Sequence, residues 1–120
     1  MNGHVDRADR ALVKLAIRSD LQTAAQSIVA WIDTAFTGEL VVPRGTIAEL
    51  GLRQSSFVSA GLADGKQVIL GTFSCIIEWF GELRQIEVIE SDGTIALLGT
   101  GLLRTNKVEI DYRLGTVVIS

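Results

Sequence analysis

Cysteine, histidine, proline and tyrosine occur once each among the 120 residues. The lone Cys75 excludes an internal disulfide. The lone imidazole, His4, leaves no His/Cys cluster for a metal and no Ser–His or Cys–His engine in the body of the chain. No cofactor and no metal are therefore expected. The longest stretch free of charge, residues 21–32, holds 12 residues and is too short to cross a bilayer. The opening MNGHVDRADR has no apolar run of the kind a cleaved leader carries, so a cytoplasmic chain is expected. Net charge is −3 and the 11 basic residues are scattered, which argues against a nucleic-acid surface.

What is present points to strands. Val, Ile and Thr branch at Cβ and favour pleated backbone, and they are abundant here. Twelve glycines recur between short apolar runs, as turns between strands require. One domain is expected over residues 10–120, preceded by a polar, frayed tail over residues 1–9. Residues 27–33 read as a strand with Ile28, Ala30 and Ile32 on one face and Val29, Trp31 and Asp33 on the other. Residues 11–18 fit a strand or a helix equally by periodicity. Thr46 and Glu49 have the spacing of a capping box, and Gly51 is a natural stop, so a short helix is predicted there. Asp64-Gly65 and Gly81-Glu82 each mark a hairpin turn. A second short helix fits within residues 99–106, and residues 116–120 form a closing apolar strand.

Asp33 stands out chemically. It ends an apolar strand and enters Thr34-Ala35-Phe36-Thr37-Gly38. A carboxylate there needs hydrogen bonds or a partner charge. Capping the following turn through its own short side chain is the plain structural use.

The segment Trp-Ile-Asp-Thr-Ala-Phe-Thr-Gly-Glu-Leu-Val-Val-Pro, residues 31–43, resembles the active-site loop of the retropepsin-like (clan AA) aspartic proteases. It is closest to a bacterial branch in which the Asp-Thr-Gly triplet continues Phe-Thr-Gly-Glu-Leu-Val-Leu-Pro. Ala96-Leu97-Leu98-Gly99 matches the apolar-apolar-Gly segment before the family's C-terminal helix. Leu62-Ala63-Asp64-Gly65 falls where the family has its flap, and residues 108–119 match its closing strands. Two departures exist: Ala35 replaces the Gly of the triplet, and Thr100-Gly101 replaces the usual Met/Arg–Asp/Asn pair.

The resemblance implies an all-β, acid-protease half-barrel with one or two short helices and makes residues 11–18 a strand. It implies a homodimer with the active site on its two-fold axis, because the chain carries a single triplet. Asp33 would be the catalytic acid/base, Thr34 would tie the two loops together, and the Ala35 amide would orient the carboxylate. Trp31 and Phe36 would border the cleft for a peptide or protein substrate, although simple packing also suits both rings. Ala63, Asp64 and Gly65 would tip the flap. The alternative is a catalytically silent dimeric peptide-binding or assembly module of the same fold, which Ala35 keeps open.

Overall fold

The computed structural model describes every residue, Met1–Ser120. Ten strands and two short helices follow one another: β1 (Asn2–Val5), β2 (Ala11–Arg18), β3 (Gln26–Ile32), β4 (Leu40–Pro43), α1 (Arg44–Leu50), β5 (Arg53–Gly61), β6 (Gln67–Trp79), β7 (Glu82–Ser91), β8 (Ala96–Leu98), α2 (Thr100–Leu103), β9 (Val108–Asp111) and β10 (Thr116–Ile119). They form one sheet in the order β5-β6-β7-β4-β8-β3-β2-β1-β10-β9. A further pairing of β2 with β6, Ile17 opposite Ile77, closes the six strands from β6 to β2 into a barrel. Closure gives the inward residues a common interior, while β5 and β9 stay the end strands of the sheet. Ile17, Ala30, Leu40, Val42, Ile77, Val88 and Leu98 are all fully buried inside it.

The alternation in residues 26–32 is realised: Ala30 and Ile32 face inward, while Val29 and Trp31 face out. In β2, Ala11, Val13, Leu15 and Ile17 are buried and Lys14 is exposed, so the ambiguous run is a strand. The chain thus has the all-β, barrel-based architecture with two short helices.

Three local expectations are corrected. First, residues 2–5 are not a frayed tail: β1 lies between β2 and β10. Its ladder bonds are main-chain bonds and need no apolar side chains. Gly3 suits the spot, because a Cβ there would stand 2.0 Å from the Leu12 carbonyl oxygen. The terminal amino group of Met1 adds a bond to the Ile119 carbonyl at 2.9 Å. Second, α1 begins at Arg44, directly after Pro43, without a side-chain cap. Pro43, with φ −57° and ψ 143°, ends β4 and occupies the N-cap position, so Thr46 lies inside the helix and caps nothing. The stop at Gly51 is as expected, with φ 64°. Third, the β6–β7 turn is Phe80-Gly81, with φ 51° and 80°, and Glu82 pairs with Trp79. Phenylalanine accepts the left-handed conformation because the Trp79 ring meets its ring edge-on, centroids 5.3 Å apart.

Candidate active site

Asp33 follows β3, which runs parallel to β8 with Trp31 opposite Leu97 and Ile32 opposite Leu98. That register delivers the Asp33 N–H to the Leu98 carbonyl at 2.9 Å. The chain then turns sharply. The Phe36 N–H donates to the Asp33 carbonyl at 3.2 Å, and the Ala35 N–H donates to Asp33 Oδ1 at 3.0 Å. Ala35 does this without strain, since its φ is not positive. Its methyl is exposed, as is Thr34, whose hydroxyl makes no hydrogen bond within the chain. Asp33 is half-buried as a residue, and its carboxylate is oriented by a backbone amide.

The loop is held from behind by the start of α2. The Gly99 N–H donates to the Glu39 carbonyl at 3.0 Å, the Thr100 N–H to the Phe36 carbonyl at 2.9 Å, and the Gly101 N–H to the Gly38 carbonyl at 2.9 Å. The Thr100 hydroxyl reaches the Phe36 carbonyl as well, at 3.3 Å. This crossing leaves no space for side chains: a Cβ on Gly99 would fall 2.2 Å from the Gly38 oxygen, and one on Gly101 2.7 Å from it. Thr100 and Gly101 are thus anchors of the Asp33 loop. Sequence reasoning registered them only as departures from a motif; the Gly-X-Gly spacing was the available signal. Phe36 is half-buried and folded back, its ring against Gly38 and Gly99. It wedges the crossing apart from any role at a cleft.

Trp31 lies on the outer face, 38% exposed, with the Arg10 guanidinium 5.8 Å from its ring centroid. Asp6 holds Arg10 in place with an ion pair at 2.7 Å, and the same hydrogen-bonded contact lowers the Asp6 carboxyl below its usual range. Register continues the surface beyond Trp31: Leu97, Val41 and Ile89 lie side by side on β8, β4 and β7. These four residues make an apolar row across four strands, two positions before Asp33 on its own strand.

Beyond Ile89 rises the hairpin of β5 and β6. Its turn is closed by Leu62 N–H to the Lys66 carbonyl at 2.7 Å and by Lys66 N–H to Asp64 Oδ1 at 2.9 Å. Gly65 takes φ 84°, and Ala63, Asp64 and Gly65 are all exposed. No hydrogen bond joins this tip to Asp33. A cavity of about 580 Å³ separates the hairpin from the barrel, lined by Val41, Leu62, Val68, Leu70 and Ile89 among others. A second, of about 500 Å³, lies between β3 and α1 and includes Arg10, Ser27 and Glu49. Asp33 lines neither; in a single chain it sits at an open surface.

Cys75 is a small buried residue of the core. Burial, with the charges of Glu87 and Glu39 adding to it, pushes its thiol up to about 12, so it carries no thiolate at neutral pH. No helix is long and apolar enough to cross a membrane.

No protein-family model matches the chain, and no curated protein matches it in sequence. Solved structures do. A retropepsin-like aspartic protease from Rickettsia conorii superposes with a TM-score of 0.67 at 16% identity, over 99% of this chain and 88% of that one. The EIAV protease, solved with the inhibitor HBY-793, gives 0.64 at 17% identity, over 82% and 89% of the two chains. The simian foamy virus (mac) protease gives 0.57 at 15% identity, over 78% and 91%. At such identities the likeness concerns the fold: this chain has the retropepsin-like fold.

Proposed function

We propose that the chain is an aspartic endopeptidase that works as a homodimer, one Asp33 from each copy forming the catalytic pair. The observation that carries this reading is the Asp33 carboxylate, oriented by the Ala35 amide at 3.0 Å on a loop pinned by Gly99–Gly101, in a fold shared with solved proteases. Two carboxylates brought together cannot both ionise, so they hold one proton between them. The ionised member takes a proton from a water molecule, which attacks the scissile carbonyl carbon. The protonated member gives its proton to the carbonyl oxygen. Collapse of the tetrahedral intermediate breaks the C–N bond, with a proton delivered to the leaving nitrogen. Thr34, free of partners within its own chain, reaches the other loop across the two-fold axis. The row Trp31, Leu97, Val41 and Ile89 is the floor of the peptide cleft. The β5–β6 hairpin, tipped by Ala63, Asp64 and Gly65, is the flap that covers it and excludes water.

The dimer contact we propose uses an edge of the sheet. The closing strand within residues 116–120 offers no free edge for pairing between copies, because β10 already has β1 on one side and β9 on the other. The sheet's free edges are β5, in the hairpin, and β9, and β9 is the one we assign to the contact. Lys107 exchanges both main-chain bonds with Ser120, each at 2.9 Å, which turns Lys107, Glu109 and Asp111 toward β10 and leaves the N–H and C=O of Val108 and Ile110 facing outward. Antiparallel pairing of two copies about Glu109 places Val108 of one against Ile110 of the other and satisfies those groups. Sedimentation at micromolar concentration is expected to give about twice 12.9 kDa. Ile110→Pro removes one outward N–H without touching the β9–β10 ladder, and is expected to give a folded monomer without peptidase activity. A parent chain that sediments as a monomer even with peptide present excludes the shared site.

A silent peptide-binding module of the same fold is the second reading, favoured by the Ala35 methyl exposed where a second loop would approach. Incubating the dimer with a diverse peptide library between pH 3 and 8, and sequencing the products by mass spectrometry, separates the two. Cleavage lost in Asp33→Asn supports the peptidase. Binding without cleavage supports the silent module, and Ala35→Gly is then expected to restore turnover.

A further inference from the structure

The β6–β7 ladder runs from Trp79 opposite Glu82 to Thr72 opposite Ile89 and stops there. From Gly71 to Gln67, β6 has only β5 beside it. A two-stranded hairpin standing alone in water is marginal, so its order depends on how its base is held. That base is gripped on both faces by carboxylates from β7. Glu90 Oε1 accepts the Gly71 N–H at 2.9 Å, at the step where main-chain pairing ends. Arg44 of α1 backs Glu90, Nε to Oε2 at 3.4 Å, and is itself paired with Asp92. Gly71 is buried, and a Cβ there would lie 3.3 Å from the Glu90 carboxyl carbon and 3.0 Å from Gln54 Nε2. Three residues earlier, and so on the opposite face, Glu87 accepts from Ser74 Oγ at 2.9 Å and from Ser55 Oγ. Ser55 is the extra residue where the β5–β6 register shifts between Gln54 and Ser56, and its hydroxyl also meets Thr72 Oγ1 at 3.1 Å. A bulge on one strand and a side-chain bond replacing the ladder on the other coincide at one level.

We propose that this level is the hinge of the flap and that Glu90, opposed by Glu87, is a positioning residue that sets the hairpin over the cleft. The proposal rests on the flap reading above. Glu90 acts through Gly71 and not on substrate. Arg44 couples it to α1, so the hairpin is tied to the barrel by a path independent of its own ladder. Direct support for an ionised clamp comes from Glu90 itself, whose carboxyl is held below its usual range chiefly by the Gly71 N–H, against burial and with help from Arg44.

The test is amide hydrogen exchange on the full chain carrying Asp33→Asn, which needs no turnover. Glu90→Ala is expected to speed exchange in residues 57–61 and 67–71 by about tenfold or more, the scale of one lost hydrogen bond to a charged group. Exchange in β2 and β3 stays as in the parent. Glu90→Gln keeps an acceptor for Gly71 and is expected to recover most of the protection. With Asp33 intact, KM for a peptide rises more than kcat falls. Unchanged exchange in the hairpin overturns the hinge, and so does an equal rise throughout the barrel, which means general destabilisation. Absence of cleavage by the parent bears on the peptidase reading alone and leaves the exchange result decisive for the hinge.

Discussion

Replacing Asp33 by Asn is expected to cost at least about 10²–10⁴-fold in kcat/KM, the range that a positioned acid or base contributes, and to leave the fold untouched. The reason is local. Asn keeps a side-chain oxygen that accepts the Ala35 N–H now found at 3.0 Å, and the main-chain bonds from Asp33 to Leu98 and from Phe36 to Asp33 do not involve the side chain. Unfolding free energy is therefore expected to change by no more than about 0.5 kcal/mol, as for a surface substitution that breaks nothing. The dimer gains, because two Asn side chains come together without the proton uptake that two like-charged carboxylates require. Thermal unfolding, sedimentation and peptide turnover on the same preparations give all three readings. A variant that cleaves as fast as the parent places the activity elsewhere.

Gly99→Ala is expected to have the largest structural effect of any single methyl around the Asp33 loop. The added Cβ would stand 2.2 Å from the Gly38 oxygen, 2.5 Å from Phe36 Cδ2 and 2.8 Å from the Phe36 oxygen. Two of these are main-chain atoms already committed to Gly101 and Thr100, so they cannot yield without breaking the crossing. Overpacking of this kind costs about 1–3 kcal/mol. It also pushes the Asp33 loop outward, and a displacement near 1 Å can cost about a hundredfold in rate. Gly45→Ala is the control: nothing lies within 4 Å of its Cβ, it sits in α1, and alanine is the better helix former there by about 0.8–1.0 kcal/mol. Urea midpoints of the two variants should therefore move in opposite directions. Equal stability and turnover in Gly99→Ala and the parent contradict the crossing as a determinant of the site.

Several parts of this arrangement were legible in the residues because they depend on near neighbours. The inward faces of β2 and β3 follow from period-two alternation. The Asp64-Gly65 turn follows from the chemistry of a glycine at positive φ and an aspartate bonding two residues on. The Asp33–Ala35 contact is of the same short-range kind. Where a local rule competed with the ladder, the ladder won. Glu82 is a strand residue because it pairs with Trp79, and Phe80 takes the turn position that a local reading assigns one residue later. Thr46 is no cap because the chain enters α1 from β4 through Pro43.

By itself, then, the sequence determined the class of fold, the Asp33 loop and the Asp64-Gly65 turn, since alternation, glycine placement and short side chains act over a few residues. The tertiary structure alone decided the rest. Ile17 meets Ile77 across 60 positions to close the barrel, and Asn2 to Val5 becomes a strand because β2 and β10 offer main-chain partners on both sides. Gly99 and Gly101 matter because another segment's backbone passes within a methyl's width, and Glu90 matters because the ladder ends beside it. Such contacts are set by where distant backbone lies: the Gly-X-Gly spacing marks a close approach at residues 99–101 but does not say which segment approaches.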